Sequence, residues 1–328
     1  MKGSAIILFL FTWQFTLDAQ DLEFSQFFNA PLYLNPAFAG ADEGPRFGLN
    51  YRNEWAGLDN AYISYDVTYD QQFDKLGGGI GVIILSDRQA NGIYTGNSVT
   101  GIYSYQLRLS RKFVLQGAAQ VSLVQKRIQN NNLIFEENIN PDNGTMISTG
   151  SVDLPDKASK TFPDFGAGFL FFTAKSFFGF SVKHLTSPNE SLLNTQSSPL
   201  PYRLAGNFGV EFHNSSSKKT PVFFSPNIFI ASQSRFRQLT GGAILGIGVF
   251  YGGISYRTTF TNADATILLA GFQKNIFRFG YSYDATVSGL QGSTGGTHEL
   301  SLLVNFHDSE KLKKKRNTRK FITCPKVF

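Results

Sequence analysis

The side chains that most often perform catalysis or bind metals are few and scattered in this sequence. The 328-residue chain has one cysteine, at position 324, and four histidines, at positions 184, 213, 298 and 307. One cysteine cannot form a disulfide framework or a thiolate metal site, and scattered histidines do not form a zinc site. We therefore predict that the protein has no metal site and no cofactor.

Two short motifs match catalytic or phosphate-binding patterns, but their context does not. Ser215 and Lys218 fit Ser-x-x-Lys within a predicted short turn, and no helix with Lys and Ser or Thr follows the glycines at 77–79. We predict no catalytic residues and no enzymatic activity. A barrel-type enzyme is the alternative, for which His298 and Glu299, near a predicted outward loop at 286–294, form the strongest candidate pair.

The positive charge of the chain is concentrated at its C-terminal end. Residues 308–328 contain eight Lys or Arg and two acidic residues, a net charge of +6 that equals the formal net charge of the whole chain. Such a block is either a solvated tail or a docking segment for an acidic partner. The cations that we expect to bind this partner are Lys313, Lys314, Lys315, Arg316, Arg319 and Lys320.

The first nineteen residues predict a secretory signal peptide. Lys2 precedes an apolar run at 5–11, and the small residue Ala19 precedes the expected cleavage site. The run is shorter than the roughly 20 apolar residues that a membrane-spanning helix needs. We expect residues 1–19 to be removed on export, which makes nucleic acid a poor partner for the basic tail.

The rest of the chain repeatedly alternates between apolar and polar residues, which is the period of a β-strand. In residues 63–69, for example, Ile, Tyr, Val and Tyr alternate with Ser, Asp and Thr. The apolar face would be the core of a soluble sandwich, but it would face lipid in an outer-membrane barrel. Predicted strands of about 10 to 15 residues and aromatic residues near strand ends favour the barrel.

We therefore predict an all-β fold, a transmembrane antiparallel barrel over residues 44–307. Its fourteen strands are expected at 45–55, 61–71, 78–88, 92–107, 111–127, 163–173, 176–186, 201–214, 221–233, 236–246, 249–260, 263–273, 276–285 and 295–306. Short and long connections alternate along the chain. Because short turns of such barrels face the periplasm, we expect both termini to be periplasmic and the long loops to face outward.

Residues 20–43 precede the barrel and contain Pro31 and Pro36, which exclude a regular helix. Several large apolar side chains in this segment need a buried environment, so we predict a plug in the lumen or at its periplasmic mouth. A lead-in strand packed on the rim is the alternative. The residues expected to give structure to the plug and the first strand are Asn35, Pro36, Asn50, Arg52 and Trp55.

Short motifs occur in a characteristic order at both ends of the chain. They are Phe24-Ser25-Gln26, Tyr33-Leu34-Asn35-Pro36-Ala37, Asn50-Tyr51-Arg52-Asn53, Trp55, Tyr283-Asp284-Ala285-Thr286-Val287-Ser288, Gly296-Thr297-His298-Glu299-Leu300-Ser301, and the ending Cys324-Pro325 with Phe328. In these motifs the sequence resembles the PorP/SprF family of outer-membrane proteins, associated with type IX secretion and gliding in Bacteroidetes. It departs from the family at Lys326-Val327, where we expect a one-residue spacer before Phe328.

The resemblance implies a non-enzymatic outer-membrane component of the type IX secretion or gliding apparatus. Such a protein contacts periplasmic ring components or anchors a secreted adhesin at the cell surface. The resemblance also implies that Cys324, Pro325 and Phe328 join the tail cations in the periplasmic contact. The alternative is a transporter of hydrophobic solutes resembling FadL-type barrels, which have fourteen strands, an N-terminal hatch and an Asn-Pro-Ala like residues 35–37.

Overall fold

An antiparallel β-barrel accounts for most of the chain in this computed structural model. The structure describes residues 21–42, 44–58, 62–129, 140, 158–193, 197–214, 221–260, 262–287, 294–306 and 324. Among these residues, no helix combines the length and the apolar character needed to cross a bilayer.

Strand segments β1 to β15 form the wall of the barrel. They are β1 (Arg46–Glu54), β2 (Tyr62–Phe73), β3 (Gly78–Gln89), β4 (Tyr94–Arg108), β5 (Val114–Ile128), β6 (Ser159–Phe172), β7 (Ser176–Lys183), β8 (Arg203–Val210), β9 (Phe212–Asn214), β10 (Val222–Gln233), β11 (Phe236–Ile247), β12 (Phe250–Thr258), β13 (Ala263–Lys274), β14 (Phe277–Thr286) and β15 (Thr297–Asn305). Only Glu211 separates β8 from β9, and both pair with β10. They are two parts of one barrel strand, so the described wall has the predicted fourteen strands.

Helical structure in the described chain consists of single turns. Three turns precede β1, and two more lie between strands. They are the 3-10 turns Phe27–Asn29, Pro36–Phe38, Asp74–Leu76 and Ala90–Gly92, and the α-helical turn α1 (Pro31–Leu34).

The sheet closes on itself through its first and last strands. β1 pairs antiparallel with β2 and also with β15, in a register that places Arg46 opposite Asn305 and Glu54 opposite Thr297. Each of the fourteen barrel strands therefore has a neighbour on both sides. Closure matters because an unpaired strand edge would expose backbone N–H and C=O groups to hydrocarbon.

Side chains alternate between the two faces of the wall. Val99 and Leu123 point outward and are 54% and 59% exposed, whereas their sequence neighbours Thr100 and Ser122 point inward and are each 6% exposed. The two inward hydroxyls are hydrogen-bonded to each other at 2.8 Å. An apolar outer face and a polar inner face are the arrangement expected of a membrane barrel, so the predicted fold class is confirmed.

The two ends of the barrel differ in the length of their connections. At the end called the turn end below, strands are joined by the short segments 74–77, 109–113, 173–175, 248–249 and 275–276. The opposite end, called the loop end, has the longest connections, at 129–158, 184–202 and 287–296. Most of 129–158 lies outside the described residues.

Residues 21–42, called the plug segment below, lie inside the barrel. Residues 24–42 are all buried. Hydrogen bonds connect this segment to side chains or backbone of β1, β2, β4, β5, β6, β7 and β15. Because these strands surround the lumen, the segment occupies the interior rather than the rim.

The plug segment runs through the lumen from the loop end to the turn end. Asp21 contacts His184, which follows β7 at the loop end, whereas Asp42 contacts Asn305 at the turn end. The first described residue, Asp21, therefore lies at the loop end of the barrel. This contact joins residues that are 163 positions apart in the sequence.

A charged side chain on the outer face should destabilise the barrel. Ile84 lies midway along β3, points outward and is 52% exposed. Replacing it with arginine should cost about 2–4 kcal/mol of folding free energy, because the guanidinium would enter hydrocarbon. Urea titration of folding into lipid vesicles measures this cost. The control Ile84→Leu should fold like the wild type, and equal stability of the arginine variant would contradict a lipid-facing position.

Candidate functional site in the barrel lumen

Asn35 and Pro36 shape the middle of the plug segment. Pro36 starts a 3-10 turn, and the Asn35 side chain caps this turn by accepting a hydrogen bond from the backbone N–H of Ala37 at 2.9 Å. The Asn35 amide also donates to the carbonyl oxygens of Phe169 and Phe180, at 3.0 and 3.2 Å. The cap thus joins the plug segment to β6 and β7.

A glycine on β6 makes this close approach possible. A Cβ atom at Gly168 would lie 2.2 Å from Oδ1 of Asn35. Any side chain at position 168 would therefore displace the cap. This requirement explains why a glycine occupies an inward position of a long strand.

Apolar side chains of the plug segment pack against the inner face of the wall. Phe27 stacks on Phe229 with ring centres 5.4 Å apart, and Phe38 meets Phe177 edge-on at 5.8 Å. These rings belong to one buried cluster with Leu170, Phe172 and others from the wall. The large apolar residues before the first strand are thus buried inside the barrel.

Polar side chains of the wall satisfy the backbone of the plug segment at the turn end. Ser104 and Gln116 both donate to the carbonyl oxygen of Ala39, at 2.7 and 2.6 Å. Asp70 accepts from the backbone N–H of Gly40 at 2.7 Å and pairs with Arg46 at 2.8 Å. These contacts replace the water that the backbone groups would otherwise need.

In the loop-end half, Glu299 anchors the plug segment. Its carboxylate accepts hydrogen bonds from the backbone N–H groups of Ser25 and Gln26, at 2.7 and 2.9 Å. The same carboxylate pairs with Arg52, and both side chains are 3% exposed. One buried carboxylate therefore connects β1, β15 and the plug segment.

A second ion pair extends this network. Arg257 and Asp284 are joined at 3.0 Å, and both guanidinium groups, of Arg257 and Arg52, donate to the Ser25 hydroxyl at 3.0 Å. Charged groups in such an interior persist only when they are paired and hydrogen-bonded. Ser25 therefore lies where two inter-strand ion pairs meet.

The first described residues are held at the loop end by two further pairs. Asp21 accepts from Nε2 of His184 at 2.8 Å, the His184 Nδ1 lies 3.0 Å from Asp164, and Glu23 pairs with Arg203. Burial opposes the charged form of His184, but the two carboxylates raise its pKa to about 9. Burial likewise opposes ionisation of Asp21, yet the charge of His184 holds the pKa of Asp21 well below its usual value.

The described residues line two cavities at the loop end, with volumes of about 120 and 410 Å³. Asp21, Leu22 and Asp87 contribute to the lining of both. The start of the plug segment therefore separates the two spaces. Among the described side chains, no cluster of three or more His, Cys, Asp and Glu residues could hold a metal ion.

The structure places the remaining predicted residues as follows. Asn50 points inward and donates to Asp66 at 2.6 Å, and Trp55 directly follows β1 at the loop end, with its ring edge-on to Tyr62 at 5.4 Å. Cys324 is buried in the apolar cluster near Asp42, and burial raises the pKa of its thiol well above the usual value. The other predicted partner-binding residues of the tail lie outside the described residues, namely Lys313, Lys314, Lys315, Arg316, Arg319, Lys320, Pro325 and Phe328.

His298 and Glu299 do not form a common site. His298 contacts the Tyr281 hydroxyl at 2.8 Å on the outer face, whereas Glu299 points into the lumen. Adjacent residues of a strand point to opposite faces. This geometry separates the two groups that a barrel enzyme would have combined.

Sequence reasoning did not identify most of the lumen charges that hold the plug segment. These residues are Asp164, Lys183, Arg203, Arg257, Asp284 and Glu299. Each lies at an inward-facing position of its strand or next to one. The alternation of apolar and polar residues could therefore have identified these side chains as lumen residues. In a barrel strand, a charged residue that alternates with the apolar residues is predicted to face the lumen. The pattern does not identify the residue with which it pairs.

Removing the Glu299 carboxylate should release the loop-end half of the plug segment. Glu299→Ala leaves a buried guanidinium and two backbone N–H groups without their acceptor, which should cost about 3–5 kcal/mol. Glu299→Gln retains one acceptor oxygen and should cost less. Protease sensitivity of residues 21–30 and urea unfolding measure the two effects. Equal stability of the alanine variant and the wild type would contradict the anchoring role.

The His184 pairing should stabilise the barrel at neutral pH and fail at high pH. Its folded-state pKa of about 9 is above the ordinary 6.5. The stabilisation is therefore complete below about pH 6.5 and is lost as the pH rises through 9. On linkage its size is on the order of 3 kcal/mol.

Comparison with His184→Gln isolates this effect from other titrations. The melting temperature of the wild type, read from heat-dependent gel mobility, should exceed that of the variant at pH 6. The difference should shrink towards zero by pH 10. A difference that does not depend on pH would show that the imidazolium charge has no role.

Solved structures similar to this chain include outer-membrane proteins. The Acinetobacter baumannii outer membrane protein Omp33 is 8% identical, with 81% of this chain and 100% of that chain covered and a TM-score of 0.44. The Pseudomonas putida toluene transporter TodX is 11% identical, with 85% and 94% covered and a TM-score of 0.43. A Pseudomonas aeruginosa FadL homologue is 11% identical, with 83% and 93% covered and a TM-score of 0.41.

Comparison with curated proteins finds no match. The family described as "Type IX secretion system membrane protein PorP/SprF" matches residues 16–304, nearly the whole chain. The match includes the plug segment and almost all of the barrel. The chain therefore belongs to the PorP/SprF family of type IX secretion system membrane proteins.

Proposed function

We propose that this protein is a non-enzymatic structural component of the type IX secretion or gliding apparatus, and that it holds a partner in position rather than conducting a solute. In this proposal the barrel fixes the protein in the outer membrane, and its basic tail contacts periplasmic ring components. Anchoring of a secreted adhesin at the cell surface is the second role open to the same scaffold.

The occupied lumen is the observation that supports this proposal. Wall side chains such as Glu299, Asp70 and Gln116 bond directly to the backbone of the plug segment. Moving the segment would leave these buried groups unpaired, at a cost of about 1–3 kcal/mol for each neutral group and more for charged ones. A rigid, filled barrel suits an anchor better than a conduit.

The position at which the last strand ends supports a contact on the periplasmic side. β15 ends at the turn end, where the short connections lie, and short turns face the periplasm in outer-membrane barrels. We therefore propose that the turn end is periplasmic and that residues 308–328 act on this side of the membrane. Their net charge of +6 favours an acidic protein surface.

A transporter of hydrophobic solutes is the competing function. It would require a continuous path through the lumen. At the turn end, Arg46 and Asn305 of the wall both contact Asp42 of the plug segment, and Arg46 also donates to the carbonyl oxygen of Phe38. These contacts lie across the route that a solute would take, so a transporter would have to rearrange the plug segment.

Deletion of residues 308–328 tests the proposed docking. The truncated protein should reach the outer membrane but lose co-purification of secretion components, and secretion or adhesin display should fail.

Replacing Lys313, Lys314 and Lys315 together tests the role of the tail charge. The triple variant with glutamate should reduce the amount of co-purified partner at least tenfold, whereas the triple variant with arginine should retain binding. Normal secretion and normal co-purification by the truncated protein would overturn the docking role, and solute uptake that depends on the barrel would favour the transporter.

A further inference from the structure

The smaller loop-end cavity, of about 120 Å³, lies between the plug segment and strands β3 to β7. Its lining includes Asp21, Leu22 and Tyr33 of the plug segment and Gln120, Asp164 and Lys183 of the wall. The volume is enough for several water molecules or one small polar ligand. Some polar atoms of the lining residues have no hydrogen-bond partner among the described residues.

Lys183 is a buried cation without a hydrogen-bond acceptor among the described residues. Its side chain is 7% exposed and lines the cavity. The ammonium lies 3.5 Å from the centre of the Tyr33 ring, which provides a cation–π contact on one side. An ammonium has three N–H donors, so an anion or acceptor is still needed on the cavity side.

Two acceptors of the same cavity also lack partners. Oε1 of Gln120 and Oδ1 of Asp164 are buried and have no hydrogen bond, although the other oxygen of Asp164 contacts His184. Gln120 is paired with Gly166 across β5 and β6, and its amide lies over this glycine, where an added Cβ would be 2.8 Å from Nε2. The missing side chain at position 166 makes room for the Gln120 amide beside the cavity.

The rest of the lining is complementary to a small apolar group. Leu22, Ile83, Leu85 and Val124 line the same cavity. The other lysine of the lining, Lys126, already pairs with Glu190 at 3.6 Å. Lys183 is therefore the cation that is available to a ligand.

We propose that this cavity binds an α-carboxylate that has a neighbouring N–H group and a small aliphatic side chain. The carboxylate accepts hydrogen bonds from Nζ of Lys183, the N–H donates to Gln120 Oε1 and Asp164 Oδ1, and the side chain packs on the apolar lining. This chemistry occurs in a free amino acid and in the C-terminal residue of a polypeptide. Ligand binding here is independent of the proposed tail contact, so one proposal can fail without the other.

Calorimetric titration of the full chain in detergent tests the site with three probes. L-alanine represents the free amino acid, N-acetyl-L-alanine represents a C-terminal residue, and N-acetyl-L-alaninamide lacks the carboxylate. At least one carboxylate probe should bind saturably, and the amide should bind at least tenfold more weakly. Tighter binding of N-acetyl-L-alanine identifies a polypeptide end as the source, and tighter binding of L-alanine identifies a free amino acid.

Lys183→Met should weaken the preferred probe at least tenfold, because the charge-assisted hydrogen bonds are lost. Lys160→Met is the matched control, since Lys160 lies at the loop end on β6 and donates to the Ser191 carbonyl outside this cavity. Heat-dependent gel mobility shows whether each variant is folded. No saturable binding of either carboxylate by the wild type, equal binding of the amide, or unchanged affinity in folded Lys183→Met would each overturn the proposal.

Discussion

A fourteen-stranded barrel is too wide for its own inward side chains to fill. About eight strands give an interior that side chains alone can occupy, whereas sixteen or more leave an aqueous channel. This protein resolves the problem by placing residues 21–42 in the lumen. The contacts between that segment and the wall are the condition on which the rest of the structure depends, because a peptide in a closed space must find a partner for each polar backbone group.

The wall supplies these partners differently at the two ends. At the turn end, neutral side chains such as Ser104 and Gln116 bond to a plug carbonyl, and aromatic rings complete the packing. At the loop end, ion pairs centred on Glu299, Asp284 and His184 hold the segment. The turn end thus combines apolar and hydrogen-bonded packing with the ion pairs of Arg46, while most of the described ion pairs of the lumen and both described cavities lie at the loop end.

The wall was largely predictable from the sequence because lipid and lumen impose a strict period of two on each strand. The start of β6 differs from the prediction. The strand begins at Ser159 rather than at residue 163, because it extends through Pro163, which pairs with Leu123 on β5. The direction of the plug segment was not predictable. It depends on pairs such as Asp21 with His184 and Ser25 with Glu299, which lie 163 and 274 residues apart in sequence. Strand periodicity shows which side chains face the lumen but not which of them meet.

The chain is a member of the PorP/SprF family of type IX secretion system membrane proteins, and its lumen is occupied by its own plug segment. The most direct test of the central claim, that the plug segment fills the lumen, is the conductance of the purified full chain in a planar lipid bilayer. The account predicts a closed barrel without a steady ion current at neutral pH. A stable current of the size expected for a water-filled barrel of fourteen strands would contradict it.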